Sequence, residues 1–395
     1  MKQQYDRWLL LIVFLLIFIG LLAVYSSTSV INPQTLEKFS KKGQSISSFM
    51  YLKKQLFTVF IGMIAMFVTY KTPIQILKKI AIPLLIVSFI SVLLVFTPLG
   101  IEANGARRWI KIGPSPFQPS EFVKLSMIFF LAWYMSTPFY NKDKLQIFLI
   151  PVFVMGIIQL IFIKQPDFGA LMSLEILTLS MLFLSGIKLR YLLSLTILAL
   201  PIIIKLASEP YRLKRIIAFL DPWKDPQGSG FQLIQSFIAL GSGGLTGVGL
   251  GEGKQKLSFL PEVHTDFIFA HLGEELGFVT AFFVILLFIL LFIRGILISK
   301  KQQDPFCYYL SYGISLMLAI QAVINFAVVT GMVPTKGLPL PFISYGGSSL
   351  LISMTSVGIL LNLSRSDNNL QVSEIRERKV YLRLPKKGLR FKGAG

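Results

Sequence analysis

Long apolar runs, separated by short polar or Gly/Pro-rich joints, make up most of the chain. A run of roughly 18 or more apolar residues is enough to cross a bilayer as a helix. About ten runs approach that length: residues 8–28, 55–70, 78–98, 119–137, 147–163, 169–186, 190–206, 267–298, 306–330 and 343–362. The pattern predicts an all-α polytopic membrane protein of about ten transmembrane helices, the second the least sharply marked and the eighth the longest. The joints are short except for one large loop, 207–266, between the seventh and eighth helices. An even number of spans leaves both termini on one side. Residues 1–365 read as one membrane domain and 366–395 as a basic tail.

Composition narrows the class. Charged residues make up 15% of the 395-residue chain and hydrophobic ones 54%, with a mean hydropathy of +0.68. Soluble domains carry about a quarter charged residues, so a string of soluble domains is excluded. Lys2 and Arg7 ahead of the apolar run Trp8 to Tyr25 have the outline of a signal peptide. That run is long, lacks an A-x-A site and precedes many further spans, so it is read as an uncleaved first helix. The single Cys307 rules out an internal disulfide and fits a small packing residue.

The net charge of +20 is compatible with nucleic acid, anionic lipid or an anionic substrate. No nucleic-acid motif is present, and the charges are spread over many loops, which favours the membrane. Cytoplasmic loops are enriched in Lys and Arg. Lys2, Arg7 and the tail residues Arg376, Arg378, Lys379, Arg383, Lys386, Lys387, Arg390 and Lys392 therefore place both termini in the cytoplasm. In this orientation Arg107, Arg108 and Lys111 fall outside, as do Lys38, Lys41 and Lys42 and the large-loop residues Arg212, Lys214, Arg215, Lys254 and Lys256. Long loops cross regardless of charge, which leaves the large loop open to either reading. The cations of the short 99–118 loop point to an anionic ligand at the outer surface.

Several constellations carry candidate chemistry. In IEANGARRWIKIGPSPFQPSEFVK, residues 101–124, Gly105, Gly113, Pro114, Pro116 and Pro119 break any helix before Ser120. Trp109 suits an anchor at headgroup depth. Ser120 suits an N-cap, with Glu121 in the first turn of the fourth helix. Lys124, one turn on, is either half of a structural pair with Glu121 or an intramembrane ligand group. In Lys164-Gln-Pro-Asp-Phe-Gly169, Asp167 is either the cap of the sixth helix or a ligand. Phe231 to Leu240 is compatible with a short interfacial helix. The alternating Gly247, Gly249, Gly251 and Gly253 match neither the phosphate-loop nor the dinucleotide spacing, so a nucleotide site is rejected. These glycines are read as permitting close backbone approach.

The sharpest constellation is Leu260-Pro-Glu-Val-His-Thr-Asp-Phe267, leading into IFAHLGEELG. Asp266 sits where the eighth helix begins, as a catalytic carboxylate or, like Thr265, as an N-cap. Ala270, Gly273, Glu274 and Gly277 share one helical face. Glu274 lies within the membrane and requires a partner, with Lys124 or an outer-loop arginine as candidates. His264 and His271, with Glu262 and Asp266, lack the H-E-x-x-H spacing, and no zinc site is expected. Residues 331–349, GMVPTKGLPLPFISYGGSS, form a broken, re-entrant segment, tolerated at membrane depth only around a cavity. Gln321 and Asn325 on the ninth helix suit interhelical hydrogen bonds or the site itself.

In order along residues 101–350, GARRWIKIG with FQPSEFVK, KQPDFG, DPWKDPQGSGFQLIQS, LPEVHTDFIFAHLGEELG and GLPLPFISYGGSS resemble the motifs of the SEDS family (shape, elongation, division, sporulation). VYSSTS at Val24 to Ser29 also fits, and PTKGLPLPFISYGGSS is most similar to the division-type members, with the sporulation type close behind. The resemblance implies a ten-helix peptidoglycan glycosyltransferase that polymerises lipid II at the outer face of the cytoplasmic membrane. Asp266 matches the family's catalytic aspartate. The implied acceptor is an N-acetylglucosamine 4-hydroxyl and the implied leaving group undecaprenyl pyrophosphate. Candidates for holding substrate are Arg107, Arg108, Trp109, Lys111, Lys124, Arg212, Lys214, Gln232, Glu262 and Ser344, with Glu274, Asp167 and Asn325 in support. The implied partners are a class B penicillin-binding protein transpeptidase and other divisome membrane proteins, at the septum. No cofactor is required, and assistance by a divalent cation, Mg or Mn, is left open. A lipid II transporter and a recruiting scaffold are the rivals. Polar residues cluster on the outer side rather than linking both faces, which favours the enzyme.

Overall fold

A computed structural model describes residues 5–28, 49–103, 106–112, 115–257 and 259–365. Lys2, Ser29, Lys38, Lys41, Lys42, Gly105, Gly113, Pro114 and the basic tail from 366 onward lie outside the described residues. In chain order the elements begin with α1 (Arg7–Ser27), α2 (Phe49–Lys71), α3 (Ile74–Lys79), α4 (Ala81–Leu94), β1 (Gly100–Ala103), β2 (Ala106–Ile112), β3 (Ser115–Phe117) and α5 (Pro119–Met135). They continue with α6 (Leu145–Lys164), α7 (Phe168–Leu184), α8 (Leu189–Ala207), α9 (Pro210–Leu220), α10 (Phe231–Ser242), α11 (Ile268–Lys300), α12 (Pro305–Val329) and α13 (Gly347–Leu363).

The chain is a multi-pass, mostly helical membrane protein. By length and composition, α1, α2, α6, α11 and α12 can each cross a bilayer, and α4, α7, α8 and α13 are shorter apolar helices. α5 is buried along almost its whole length. It packs against α4, α7, α12 and α13 and forms the centre of the bundle. A helix apolar on all sides belongs at such a position. Asp6, Asp167 and Asp304 cap α1, α7 and α12, accepting N–H bonds from Leu9, Ala170 and Phe306 at 2.9, 3.2 and 2.7 Å. The described chain ends meet, for the Asp6 N–H donates to Ser364 Oγ at 3.2 Å.

Four features differ from the sequence expectation. The third span is divided at Ile80 into α3 and α4, where Pro83 fits only in a first helical turn. The 99–118 loop is a small antiparallel sheet of order β1-β2-β3, so the molecule is not wholly α. Ser120 does not cap α5. Gln118 holds that position, Pro119 follows as the first helical residue, and the Ser120 hydroxyl turns to Asp167 Oδ2 at 3.4 Å. The 231–240 helix is packed inward, with Leu233, Ile234, Ser236 and Ala239 buried. α9 instead has the pattern of an interfacial helix, with Leu213, Ile217 and Leu220 exposed at helical spacing.

The long α11 is broken at Gly277, whose φ of 74° and ψ of −178° lie outside the helical region. Only glycine adopts such a conformation without strain. The break frees backbone groups that must be paired inside a membrane protein, and the glycine-rich loop pairs them. Val248 and Gly249 donate N–H bonds to the carbonyls of Glu274 and Glu275 at 3.0 Å each. Phe278 and Val279 donate to Gly244 and Leu245 at 2.9 and 3.2 Å. A Cβ at Gly247 would lie 2.1 Å from the Glu275 carbonyl oxygen, so the expected close approach is real and it is required.

Candidate active site

Two segments meet where α11 begins. Residues 260–267 carry Asp266, and residues 331–346 form the broken segment between α12 and α13. Asn325 on α12 joins them, its Nδ2 donating to the carbonyls of Asp266 and Leu338, both at 2.8 Å. The Ser344 hydroxyl donates to the Thr265 carbonyl at 2.6 Å and accepts the Leu340 N–H at 2.8 Å. The Tyr345 N–H donates to the His264 carbonyl at 2.9 Å. Glu262 and Phe342, one on each segment, hold left-handed backbone with φ of 54° and 66°. Strain of this kind gathers at functional sites. The rings of Tyr51, His264 and Tyr345 pack together beside the clasp, with centroids 5.3–5.8 Å apart.

Asp266 is held by its backbone and left free at its side chain. The N-cap of α11 is Phe267, with no side-chain cap bond; neither Asp266 nor Thr265 performs that duty. Thr265 Oγ1 turns instead to Glu262 Oε2 at 3.0 Å. Among the described residues no group donates a hydrogen bond to the Asp266 carboxylate. Gly337 makes room for that carboxylate, since a Cβ at this glycine would lie 2.6 Å from Asp266 Oδ2. The residue keeps some accessible surface while protein crowds its carboxyl. That desolvation raises its pKa to about 7, with Glu262 adding to the rise and Arg215 and Arg108 opposing it.

Cations converge from three elements. Arg108 on β2 donates from Nη2 to the Pro166 carbonyl at 2.5 Å, and its buried Nε–H has no partner among the described residues. Arg215 on α9 donates to the Thr335 carbonyl at 3.0 Å. Lys336, next to Gly337, lies over the Phe168 ring at 4.4 Å, and Arg212 lies over the same ring at 5.3 Å. Burial lowers the Lys336 pKa to about 8. A group of cations beside a desolvated carboxylate is suited to an anionic substrate that undergoes proton transfer.

The other expected residues fall at varying distances from this centre. Glu262 is exposed but electrostatically coupled to Asp266. Arg107 pairs with Glu102 at 3.2 Å on the exposed sheet, where Lys111 is exposed and Trp109 half-buried. Lys214 is exposed and acts on Asp225. Gln232 is half-buried in the first turn of α10. Lys124 is 1% exposed and bound to Glu121 at 2.8 Å, and Gln321 donates to the other Glu121 oxygen at 3.1 Å. Its ammonium is thus committed inside α5, which fits the structural pair rather than substrate contact. Ser344, with its hydroxyl committed to Thr265 and Leu340, is likewise part of the clasp. Glu274 takes neither Lys124 nor an arginine. Its carboxylate accepts the N–H groups of Lys254, at 2.8 Å, and Gln255, at 3.3 Å. A helix carboxylate satisfied by backbone amides has no need of a cation.

Sequence reasoning did not place Arg215, Lys336, Gly337 or Glu275 at the site or its support. Arg215 follows Arg212 by three residues and so shares its face of α9, a signal that was available. Glu275 binds the Lys256 ammonium at 3.0 Å, the Gly253 N–H at 3.3 Å and the Ser26 hydroxyl, tying α1 and the glycine loop to α11. Among the described residues no cluster of three or more His, Cys, Asp or Glu side chains forms a metal site.

Comparison with known proteins identifies the family. The profile of the FtsW, RodA and SpoVE family, described as "Cell cycle protein", matches residues 6–369. A protein of Geobacter sp. (strain M18) named "Probable peptidoglycan glycosyltransferase FtsW" is 43% identical over 92% of this chain and 97% of its own length. "Stage V sporulation protein E" of Bacillus subtilis is 41% identical, covering 92% and 98%. Among solved structures, a chain from a study of a peptidoglycan synthase complex that coordinates polymerization and crosslinking superposes with a TM-score of 0.74 at 27% identity, covering 92% and 98%. RodA of Thermus thermophilus superposes with a TM-score of 0.66 at 25% identity, again covering 92% and 98%. The chain belongs to the FtsW/RodA/SpoVE family of cell cycle proteins.

Proposed function

We propose that the chain is a peptidoglycan glycosyltransferase of the FtsW type that polymerises lipid II at the outer face of the cytoplasmic membrane during division. One observation carries the reading: Asp266 is fixed through its backbone by Asn325, while its carboxylate is desolvated, free of structural bonds and flanked by cations. A sugar hydroxyl is a weak nucleophile near neutral pH. The Asp266 carboxylate removes the proton of the acceptor 4-hydroxyl as that oxygen attacks the anomeric carbon of the lipid-linked donor. The anomeric bond to pyrophosphate breaks, and undecaprenyl pyrophosphate leaves with the bonding pair. Direct displacement inverts the anomeric centre. Arg108, Arg215, Lys336 and Arg212 neutralise the charge that grows on the leaving group. Magnesium or manganese binds through one or two carboxylates plus substrate phosphates, a donor set that Asp266 and Glu262 offer, and either ion would lower the charge on the departing pyrophosphate.

Both chain termini lie on the cytoplasmic side in this reading, and residues 207–266 lie outside. The basic tail faces the anionic inner leaflet. A class B penicillin-binding protein supplies the crosslinking step, a pairing supported by the family's likeness to the peptidoglycan synthase complex. The test is proteoliposomes holding the purified protein and fluorescent lipid II in both leaflets. Glycan polymer formed without accelerated movement of lipid II between leaflets supports the enzyme. Movement without polymer would replace it with a transporter.

A further inference from the structure

Three aromatic rings from three elements meet beside the clasp. Tyr51 stands in the first turn of α2, His264 two residues before Asp266, and Tyr345 near the end of the broken segment. Ring centroids are 5.4 Å apart for Tyr51 and His264, 5.3 Å for Tyr51 and Tyr345, and 5.8 Å for His264 and Tyr345. The bonds that fix this cluster do not use its own polar edges. The Tyr345 N–H donates to the His264 carbonyl at 2.9 Å. One turn along α2 from Tyr51, the Gln55 side chain is 1% exposed and donates from Nε2 to the Ser344 carbonyl at 3.3 Å. A phenol or imidazole enclosed in a protein ordinarily finds a hydrogen-bond partner. Among the described residues, neither phenol and neither ring nitrogen of His264 has one, and none of these atoms is sealed from solvent. The interplanar angles of 56°, 74° and 60° exclude face-to-face stacking, and each residue is half-buried. Apolar ring surface and free polar edges therefore occur together. The cluster also shares surroundings with the candidate base. Glu262 acts electrostatically on Tyr51, His264 and Asp266 alike, and two residues of chain hold His264 within about 7 Å of Asp266 along the backbone. An aromatic belt at the membrane surface does not account for the arrangement. Belt rings face lipid, as the 64% exposed Trp223 can, whereas these rings are turned toward one another.

We propose that Tyr51, His264 and Tyr345 form the subsite for the hexosamine ring of the acceptor. The proposal rests on the glycosyltransferase reading for the identity of the acceptor. A pyranose ring presents a patch of C–H groups on its face and hydroxyl and acetamido groups at its rim. Aromatic surface takes the first, and the phenols and imidazole bond to the second. Phenols carry no charge near neutral pH, which suits a neutral sugar and sets this subsite apart from the cations Arg108 and Lys336, which suit the donor's pyrophosphate. The three residues hold the acceptor while Asp266 takes its proton.

The test uses the full purified chain and two soluble probes. The lipid-free disaccharide of N-acetylglucosamine and N-acetylmuramic acid is titrated by saturation-transfer NMR, and inorganic pyrophosphate by calorimetry. Lipid II polymerisation supplies kcat and KM. Tyr51→Phe and Tyr345→Phe keep the ring and lose one hydrogen bond, and each should weaken disaccharide binding about threefold. Tyr51→Leu and Tyr345→Leu lose the ring as well. Each should weaken it about tenfold and raise KM more than it lowers kcat. Pyrophosphate affinity should stay within about twofold of wild type in all four variants. Wild-type disaccharide affinity in both leucine variants would overturn the proposal. So would the absence of saturation transfer to the disaccharide in wild type, or a parallel loss of pyrophosphate binding, which marks a collapsed clasp. Should the leucine variants not fold, unchanged disaccharide affinity in both phenylalanine variants overturns it. Tyrosine-dependent disaccharide binding in a protein that makes no polymer would uphold the subsite and remove the glycosyltransferase reading.

Discussion

Gly337→Ala puts a methyl group against the candidate base. The added Cβ would lie 2.6 Å from Asp266 Oδ2, where ordinary contact begins at 3.4 Å. The carboxylate must therefore withdraw by about 0.8 Å, and a misplacement of about 1 Å in a reacting group costs on the order of a hundredfold in rate. The fold should not suffer. Gly337 is exposed and has no positive φ, so alanine adopts the same backbone and reduces the freedom of the unfolded chain by about 0.4–1 kcal/mol. The variant is expected to melt at or slightly above the wild-type temperature and to polymerise lipid II roughly a hundredfold more slowly. In an Asp266→Asn background the same change should cost nothing further, since the base is already gone. Wild-type polymerisation by a normally folded Gly337→Ala would refute the reasoning, because the Oδ2 position could then have no part in the reaction.

Three further outcomes follow from the same geometry. Asp266 must lose its proton to act as a base and Lys336 must keep its proton to bind an anion. With the two groups titrating near 7 and 8, kcat/KM should rise through about pH 7 and fall above about pH 8. Lys336→Arg should move the alkaline limb upward, since a guanidinium stays protonated; an unmoved limb would detach it from Lys336. Asn325→Leu would strip the Asp266 and Leu338 carbonyls of their donor, at about 1–3 kcal/mol for each buried group left unpaired. Thermal unfolding in detergent should show the loss, and an unchanged melting temperature would contradict it. Gly247→Ala, with a φ of 85° and a Cβ 2.1 Å from the Glu275 carbonyl, should prevent folded protein from accumulating. Gly156→Ala, with open space around it, should be tolerated.

The spans were legible because apolar length is nearly sufficient to define a membrane helix. The site was legible in part. Asp266 could be singled out, but the choice between base and cap depends on where its side chain points, and Phe267 takes the cap position. Lys124 and Glu274 were legible as buried ionisable groups needing partners. Glu121, one turn away, was legible as a partner for Lys124, but the partners of Glu274 were not, because Lys254 and Gln255 return from the large loop. The break at Gly277 resembled small-residue packing in the sequence. It acquires meaning only from Gly243 to Gly249, about a loop's length earlier, which satisfy the freed backbone. Lys336 and Arg215 reach the site through tertiary contacts that no local pattern encodes.

The central claim is that Asp266 is the base of a glycosyl transfer. The most direct measurement incubates wild type and Asp266→Asn with labelled lipid II, with the partner's transpeptidase blocked so that only polymerisation is read, and follows thermal unfolding in parallel. The folded-state pKa of Asp266 is raised, so its ionisation costs stability as pH rises from the ordinary carboxylate range through about 7. Asparagine removes that cost, and the variant should melt no lower than wild type. The account predicts long glycan from wild type and none from a stably folded Asp266→Asn. Equal polymer from both would contradict it.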